Sequence, residues 1–533
     1  MSPPPSPAPS PAPGPWLDRF IESYHRHRPV NATFIGVHHH DYRLPDFSDA
    51  GSGDTLAEMR HLLATAPEST DDAAQAIDLR LARGFLAIQI WEFQSDHFHR
   101  GNPCLYTGEA VFGVMALFLT PFAPIAERVE AAIARLEATP NFLEQGIANI
   151  RRAPTAWTER ALRECRGALE FLTNGIAALI RAEGIREPRL SEAAQRAATG
   201  FQAYRRHLEA HLSANPIERI AAGEAALGRY LRDGHCLAED PDAIAAHASD
   251  ELAAAEARLA AGPLAPEQTP RHGQPRYQAL WAEARQVAET NGLLTWPDSP
   301  IRYVERPEWA RGAAPDLYFL PYRSPASVNQ PSVHDYLIPP DDQPESAIKL
   351  NHVIHHGGIG HHVQNWHAAR AASRVGRIAA VDCASRIAMF CGGTMAEGWA
   401  CYATDLMDEV GFLSPAERRD ELQTRARMCA RAVVDIRLHQ GRLTLDQAAE
   451  YYQRRAGMPP DAAINEAVKN SMFPGAAVMY LVGRDAIHAL RRELSGRLGS
   501  RFDLRAFHDG FLSYGSVPVT LIAEAMKRRH DAQ

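Results

Sequence analysis

The 533-residue chain is expected to fold as a mainly α protein interrupted once by a short β-prone region. Three observations point there. Apolar residues recur at helical spacing through most of the chain. Strong helix formers (Ala, Leu, Arg and Glu) dominate the same stretches. Between Pro263 and Pro340 that periodicity fades, prolines become frequent, and short runs of β-branched and aromatic residues replace it.

Taken in order, residues 1–15 are rich in Pro, Ser and Ala and read as a disordered tail. They show neither a positive n-region nor an apolar h-region, so no signal peptide is expected. An N-terminal helical region spans 16–262. In it Ile125, Val129, Ile133 and Leu136 follow i, i+4, i+8, i+11, one buried stripe, and Pro140 is expected to end that helix. The same texture recurs at 158–182, 192–212 and 250–261. In the Pro-rich region, 263–345, short strands are expected at 301–304, 317–320 and 336–338. They would form a small sheet whose edge could hold an extended ligand, or a connecting hairpin that covers the core. A C-terminal helical region, 346–533, includes a strong helix at 416–438. No regular repeat appears, and the regions read as one continuous domain.

Bulk properties narrow the function. The net charge of -8 leaves no basic surplus, which argues against nucleic acid as the main partner. No apolar run approaches the roughly 20 residues of a membrane span, so no membrane partner is expected. The seven cysteines (Cys104, Cys165, Cys236, Cys383, Cys391, Cys401, Cys429) are odd in number and form no C-x-x-C pair. Reduced thiols in a cytoplasmic protein are the expectation, rather than a disulfide framework or a structural zinc knuckle.

One segment concentrates the chemistry. His352, His355, His356, His361 and His362 fall within eleven residues, and Glu397-Gly398-Trp399-Ala400 follows. Two histidines from a bent helix and a glutamate from the next helix build an open divalent-metal site. On a straight helix His352 and His356 share a face, whereas His355 and His361 diverge by about 120°. Gly357, Gly358 and Gly360 allow a bend that swings His361 back toward His355. Both pairs stay open at this point, with Glu397 the natural third ligand. The alternative, histidines on a polar helix face, does not account for the glycines or for the Glu-Gly-Trp.

The spacing resembles a known family. His-Glu-x-x-Pro-Gly-His-x-x-Gln followed by Glu-Gly-Trp-Ala is the pattern of the bacterial domain-of-unknown-function family 885, proteins similar to helical zinc metallopeptidases. Pro29, Asn31-Ala32-Thr33, Gly36, His38, Asp41, Leu44-Pro45-Asp46 and Ser48 look like its opening. Val433-Val434-Asp435, His439, Pro474-Gly475, Tyr480, Gly483, Phe507-His508-Asp509 and Gly515-Ser516-Val517-Pro518 look like its C-terminal signatures. The resemblance implies a large helical metallopeptidase-like fold around a central cleft. It implies His355, His361 and Glu397 as metal ligands, with His352 and His356 as alternatives. Zinc is the first expectation, and iron or another divalent transition metal the second. Tyr480 and Arg484 fall where donors to a developing oxyanion would stand, and His508 within reach of the cleft. The His38-His39-His40 run has no partner motif.

Departures from the pattern fall on motif positions. The glutamate after the first histidine is His356, and the proline before the glycine is Ile359. Lys469-Asn470 replaces an Arg-Tyr pair, and Ala476 replaces a glutamine. In a metallopeptidase that glutamate takes a proton from the attacking water and passes it to the leaving amine. Imidazole titrates near 6.5 and can move protons at neutral pH, but beside a dication it can also become a ligand. The sequence reading is a metal-dependent enzyme of metallopeptidase ancestry that hydrolyses an amide or peptide-like bond in a small substrate, with His356 as the base. A non-hydrolytic metalloenzyme (proton abstraction, elimination or isomerisation, in specialised biosynthesis) is the alternative, and an inactive binding protein the third.

Overall fold

The computed structural model describes residues 13–262, 273–313, 333–339, 341–379 and 388–531. The chain is mainly α. α1 (Pro13–His27), α2 (Pro29–Ile35), α3 (Asp49–Ala64), α4 (Ala73–Phe93) and α5 (Pro103–Leu119) come first. The expected tail is shorter than 1–15, because Pro13 to Pro15 already belong to α1; the rest lies outside the described residues. Side-chain caps start these helices where the sequence has Ser, Asp and Asn: Ser48 accepts from Gly51 N, Asp72 from Gln75 N and Asn102 from Cys104 N.

α6 (Ile125–Asn149) does not stop at Pro140 as expected but runs through it. A proline inside a helix costs about 3 kcal/mol, and packing along a neighbour offsets it here. α7 (Thr155–Glu170) passes through a π turn into α8 (Ile176–Glu183), and α9 (Pro188–His207) then lies along α6. Gly200 of α9 meets Pro140 so closely that a Cβ there would stand 3.0 Å from the Pro140 Cα. Two two-residue strands, β1 (Ala153–Pro154) and β2 (Pro216–Ile217), pair in parallel beside this layer.

α10 (Glu224–Arg229), α11 (Pro241–Ala261) and α12 (Gln274–Thr290) lead to the Pro-rich region. There β3 (Ile301–Glu305) pairs with β4 (His334–Ile338), with short α13 (Glu308–Arg311) between them in the chain. Two of the three expected strands are thus present; 317–320 lies outside the described residues. The pairing is parallel, Ile301 opposite His334 and Glu305 opposite Ile338, so the connecting hairpin is not what forms. A parallel pair needs a crossover, which the 28 intervening residues supply. Alternation puts Ile301, Tyr303, His334, Tyr336 and Ile338 on the buried face.

α14 (Glu345–Ala347) enters a ten-residue π-helical segment, Ile348–Gly357, followed by α15 (His361–Ala368) and α16 (Arg374–Ile378). α17 (Gly393–Glu409) and α18 (Pro415–His439) come next, then α19 (Leu445–Ala456), α20 (Pro460–Met472), α21 (Met479–Leu498), α22 (Leu504–Leu512) and α23 (Val519–Asp531). Full capping boxes open α18 (Ser414 with Glu417) and α19 (Thr444 with Gln447). One core runs from Trp16 and Phe85 through Trp157 to Trp399 and Phe511, and a second lies between α11, α18 and α19 around Leu252, Val434 and Tyr452. Among the described residues no helix is long and apolar enough to cross a membrane.

Candidate metal centre

The histidine segment forms a π-helix, and its neighbours hold it in that form. The Tyr303 hydroxyl of β3 donates to the His352 carbonyl at 3.0 Å, and the Tyr336 hydroxyl of β4 lies 2.6 Å from His352 Nδ1. With the Tyr277 ring packed against it, His352 becomes a core residue, 4 % exposed. The wider π pitch places the Asn351 carbonyl beneath His356, five residues on, and His356 Nδ1 donates to it at 2.7 Å.

The helix ends at glycines that the geometry requires. A Cβ on Gly358 would stand 2.4 Å from the Val353 carbonyl oxygen, and one on Gly360 only 2.0 Å from that of His355. The backbone doubles back, Gly360 N–H donates to Ile354 O at 3.0 Å, and His361 opens α15 facing the end it came from. Two indoles take up carbonyls freed by the break. Trp281 Nε1 donates to Gly357 O at 2.7 Å, and Trp399 Nε1 to Ile359 O at 2.9 Å. Leaving either buried oxygen unpaired would cost about 1–3 kcal/mol.

Glu397 reaches the break from α17. Its successor Gly398 lies against α21 backbone to backbone: a Cβ there would be 2.5 Å from the Gly483 carbonyl carbon, and a Cβ on Gly483 2.0 Å from Thr394 O. The Glu-Gly-Trp triplet thus points three ways from one helical turn: a carboxylate into the cluster, a gap for α21, an indole onto the bend.

Glu397 Oε2 lies 3.3 Å from His355 Nε2 and 3.5 Å from His361 Nε2. Ligand atoms of His355, His356 and His361 all lie within 4.8 Å of one another. Because the Asn351 carbonyl can only accept, His356 Nδ1 carries its proton and Nε2 keeps the lone pair. Burial pushes the Glu397 carboxyl up, but the neighbouring His361 and His355 outweigh it and hold it well below the usual carboxylate range. For His356, burial first and then His355 and His361 bring the pKa well below 6.5. The cluster therefore holds Glu397 as a carboxylate and His356 as a neutral imidazole. Tetrahedral coordination at 2.0–2.1 Å separates donors by about 3.3–3.4 Å, which matches the spacing of Glu397 from both its histidines. Glu397 Oε2 is buried and receives no directed hydrogen bond. Among the described residues, this donor set fits a divalent transition metal.

The remaining candidates are engaged by other groups. His508 has both ring nitrogens engaged, Nδ1 donating to Leu293 O at 2.5 Å and Nε2 lying 2.8 Å from the Tyr402 hydroxyl. Its neighbour Asp509 holds Thr295 instead. The Arg484 guanidinium pairs with Asp405 and Asp485, and the Tyr480 ring lies beneath the Arg431 guanidinium, 5.2 Å away. His38 stacks on Phe122 and bonds Asp41, a structural arrangement. The departing position Asn470 accepts from His439 Nε2 through its carbonyl. Asp435 accepts from Gly475 N and Ala477 N, bracing the turn at Pro474. Sequence reasoning missed Trp281, Tyr303, Tyr336 and the Asn351 carbonyl. The strand tyrosines were visible as inward positions of an alternating run, but their target was not.

A family model described as "Bacterial protein of unknown function (DUF885)" matches residues 29–526. No curated protein matches the chain. Among solved structures, a "putative lipoprotein of unknown function" from Shewanella oneidensis superposes with a TM-score of 0.75 at 20% identity, covering 97% of this chain and 100% of that one. One from Colwellia psychrerythraea, also described as a lipoprotein, gives 0.75 at 17% identity, covering 98% and 99%. At such identities the likeness establishes a shared fold.

Proposed function

The chain belongs to the bacterial protein family of unknown function DUF885, and from that premise we propose that it is a divalent-metal-dependent enzyme acting on a small-molecule or peptide-like substrate. His355, His356, His361 and Glu397 would hold the metal, zinc first and iron or another divalent transition metal second. One observation carries the reading: His356, its Nδ1 engaged by the Asn351 carbonyl and its other ring nitrogen left with the lone pair, offers a ligand atom within 4.8 Å of those of His355 and His361. It stands as a donor where the family pattern has a base. When bound, the metal supplies Lewis acidity toward an oxygen of the substrate. The chain's own part is to keep His356 neutral and Glu397 ionised, and to bring both against His355 and His361.

With the motif carboxylate replaced, proton abstraction, elimination or isomerisation of a small molecule is the reading favoured here. Hydrolysis of an amide or peptide-like bond is the second. Six described cysteines are free thiols, which supports the cytoplasmic reading; the lipoprotein wording on the two solved relatives favours the cell envelope instead. Cell fractionation separates these.

Elemental analysis of untagged protein tests the proposal. About one metal per chain is expected after reconstitution, and less than about a tenth would sink it. Comparing the parent with His356→Glu on peptides and small amides then separates the reactions. Hydrolysis gained only in the variant would assign the natural protein to non-hydrolytic chemistry; hydrolysis by the parent would establish the second reading.

A further inference from the structure

We propose that this chain carries a second small-molecule site, for an apolar carboxylate, in the cavity between α5, the α2–α3 loop and the end of α20. The proposal is independent of the metal reading. The cavity encloses about 210 Å³, room for a ligand of about ten non-hydrogen atoms.

α5 shows that the space is built. Between Pro103 and Phe118 this strongly apolar helix is buried on every side except at Leu105, Gly108, Glu109 and Phe112. Those four follow i, i+3, i+4, i+7, one stripe, and all line the cavity. At the centre of the stripe, a Cβ on Gly108 would meet nothing within 4 Å, so the missing side chain keeps the space open. Opposite stand Phe47, Phe93 and Phe98, in mutual edge and tilted contact, with Phe473 beyond. Such a wall takes an aromatic or branched apolar body.

Charge at the mouth selects the head group. Arg43 lines the cavity, its side chain is exposed, and it has no ion-pair partner among the described residues. Of the three lining carboxylates, Glu164 bonds Thr107 and Arg160 and Asp46 accepts from the Ser48 N–H, while Glu109 stands on the α5 stripe, so a ligand carboxylate is placed at Arg43 and away from Glu109. A carboxylate on the ligand would pair with Arg43 while its apolar body fills the space over Gly108. Leu44, Pro45 and Asp46, which the histidine cluster does not use, converge here with Met472 and Phe473.

The probe is 3-phenylpropanoate, titrated by calorimetry into the full chain, with phenethylamine as the cationic counterpart. Binding of the carboxylate alone is expected. Gly108→Leu fills the cavity and should weaken it by at least about tenfold, and Arg43→Gln by about fivefold or more. Metal content and melting temperature should stay at parental values in both. Metal-free Glu397→Ala should bind the probe as the parent does, which excludes the histidine cluster as its site. No binding, equal binding by phenethylamine, undiminished binding in Gly108→Leu, or loss of binding in Glu397→Ala would each overturn the proposal.

Discussion

His356 donates its Nδ1–H to the carbonyl of Asn351 at 2.7 Å, five residues earlier in the same π-helical segment. In an α-helix the carbonyl below a residue is four back; the wider pitch presents the fifth. That single bond decides the tautomer of His356 and with it the direction of its lone pair. A side chain that the sequence marks only as a departure becomes the third imidazole of a cluster.

Glutamate at this position cannot donate to the Asn351 carbonyl and brings a second charge beside Glu397. His356→Glu is expected to bind metal about 10–100-fold more weakly than the parent, read by competition with a chelator. Unchanged affinity would remove His356 from the ligand set.

Trp399 reports on the bend. Trp399→Phe keeps the ring packing against Phe511 but removes the N–H that caps Ile359 O. A loss of about 1–3 kcal/mol in urea unfolding is expected, with weaker metal retention. If stability and retention both hold, the indole does not position the site.

Gly360→Ala should be far more damaging than its size suggests. The added Cβ would stand 2.0 Å from the His355 carbonyl oxygen, which is backbone and has no rotamer to escape through. More than about 3 kcal/mol of destabilisation is expected, measured by thermal or chemical unfolding. A near-parental midpoint would show that the segment rearranges freely.

Stability should fall in mild acid. Burial lowers the pKa of His235, His439 and His508 to about 4. Below about 6.5 the unfolded chain takes up protons that these folded sites refuse, so stability rises with pH across that window and is lost as pH drops through it. Each such histidine contributes a slope of up to about 1.4 kcal/mol per pH unit. His25, His99 and His334 shift the same way. Three carboxyls oppose them: burial raises Asp78, burial raises Asp435 to about 7, and burial with the nearby Asp405 raises Glu421 to about 8. The histidines outnumber them. Urea midpoints should climb from about pH 4 to about pH 6.5 and then decline toward about pH 8, where the folded chain still holds the Asp435 and Glu421 protons that the unfolded chain has released. His439→Gln, which keeps a donor for Asn470 O and cannot charge, should reduce the slope; an unaltered slope would place the titration elsewhere.

Most helices were legible because their signals are local. The expected helix at 416–438 forms as α18, capped by Ser414, and the stripe Val129, Ile133, Leu136 is buried. Pro140 misled for the complementary reason: what lets α6 continue is the fit against Gly200, sixty residues away. The strand pair was legible at 301–304 and 336–338 but not its direction, which a long-range partner sets. At the site, the glycines announced a bend, and the Glu-Gly-Trp announced an important turn of helix. The partners of two motif candidates were not legible: Arg484 pairs with Asp405 and Asp485, and His508 contacts Leu293 O and Tyr402.

The sequence by itself determined a mainly helical chain, the family to which it belongs, and a histidine-rich break that a following glutamate could meet. Spacing, capping and glycine content suffice for these because each acts within a few residues. Only the tertiary structure decided what the break does. Tyr303 and Tyr336 hold the segment in a π-helix, Trp281 and Trp399 take its freed carbonyls, and α21 presses α17 until Glu397 lies between His355 and His361. Those contacts join residues from six separate stretches of chain, and which way an imidazole turns depends on them.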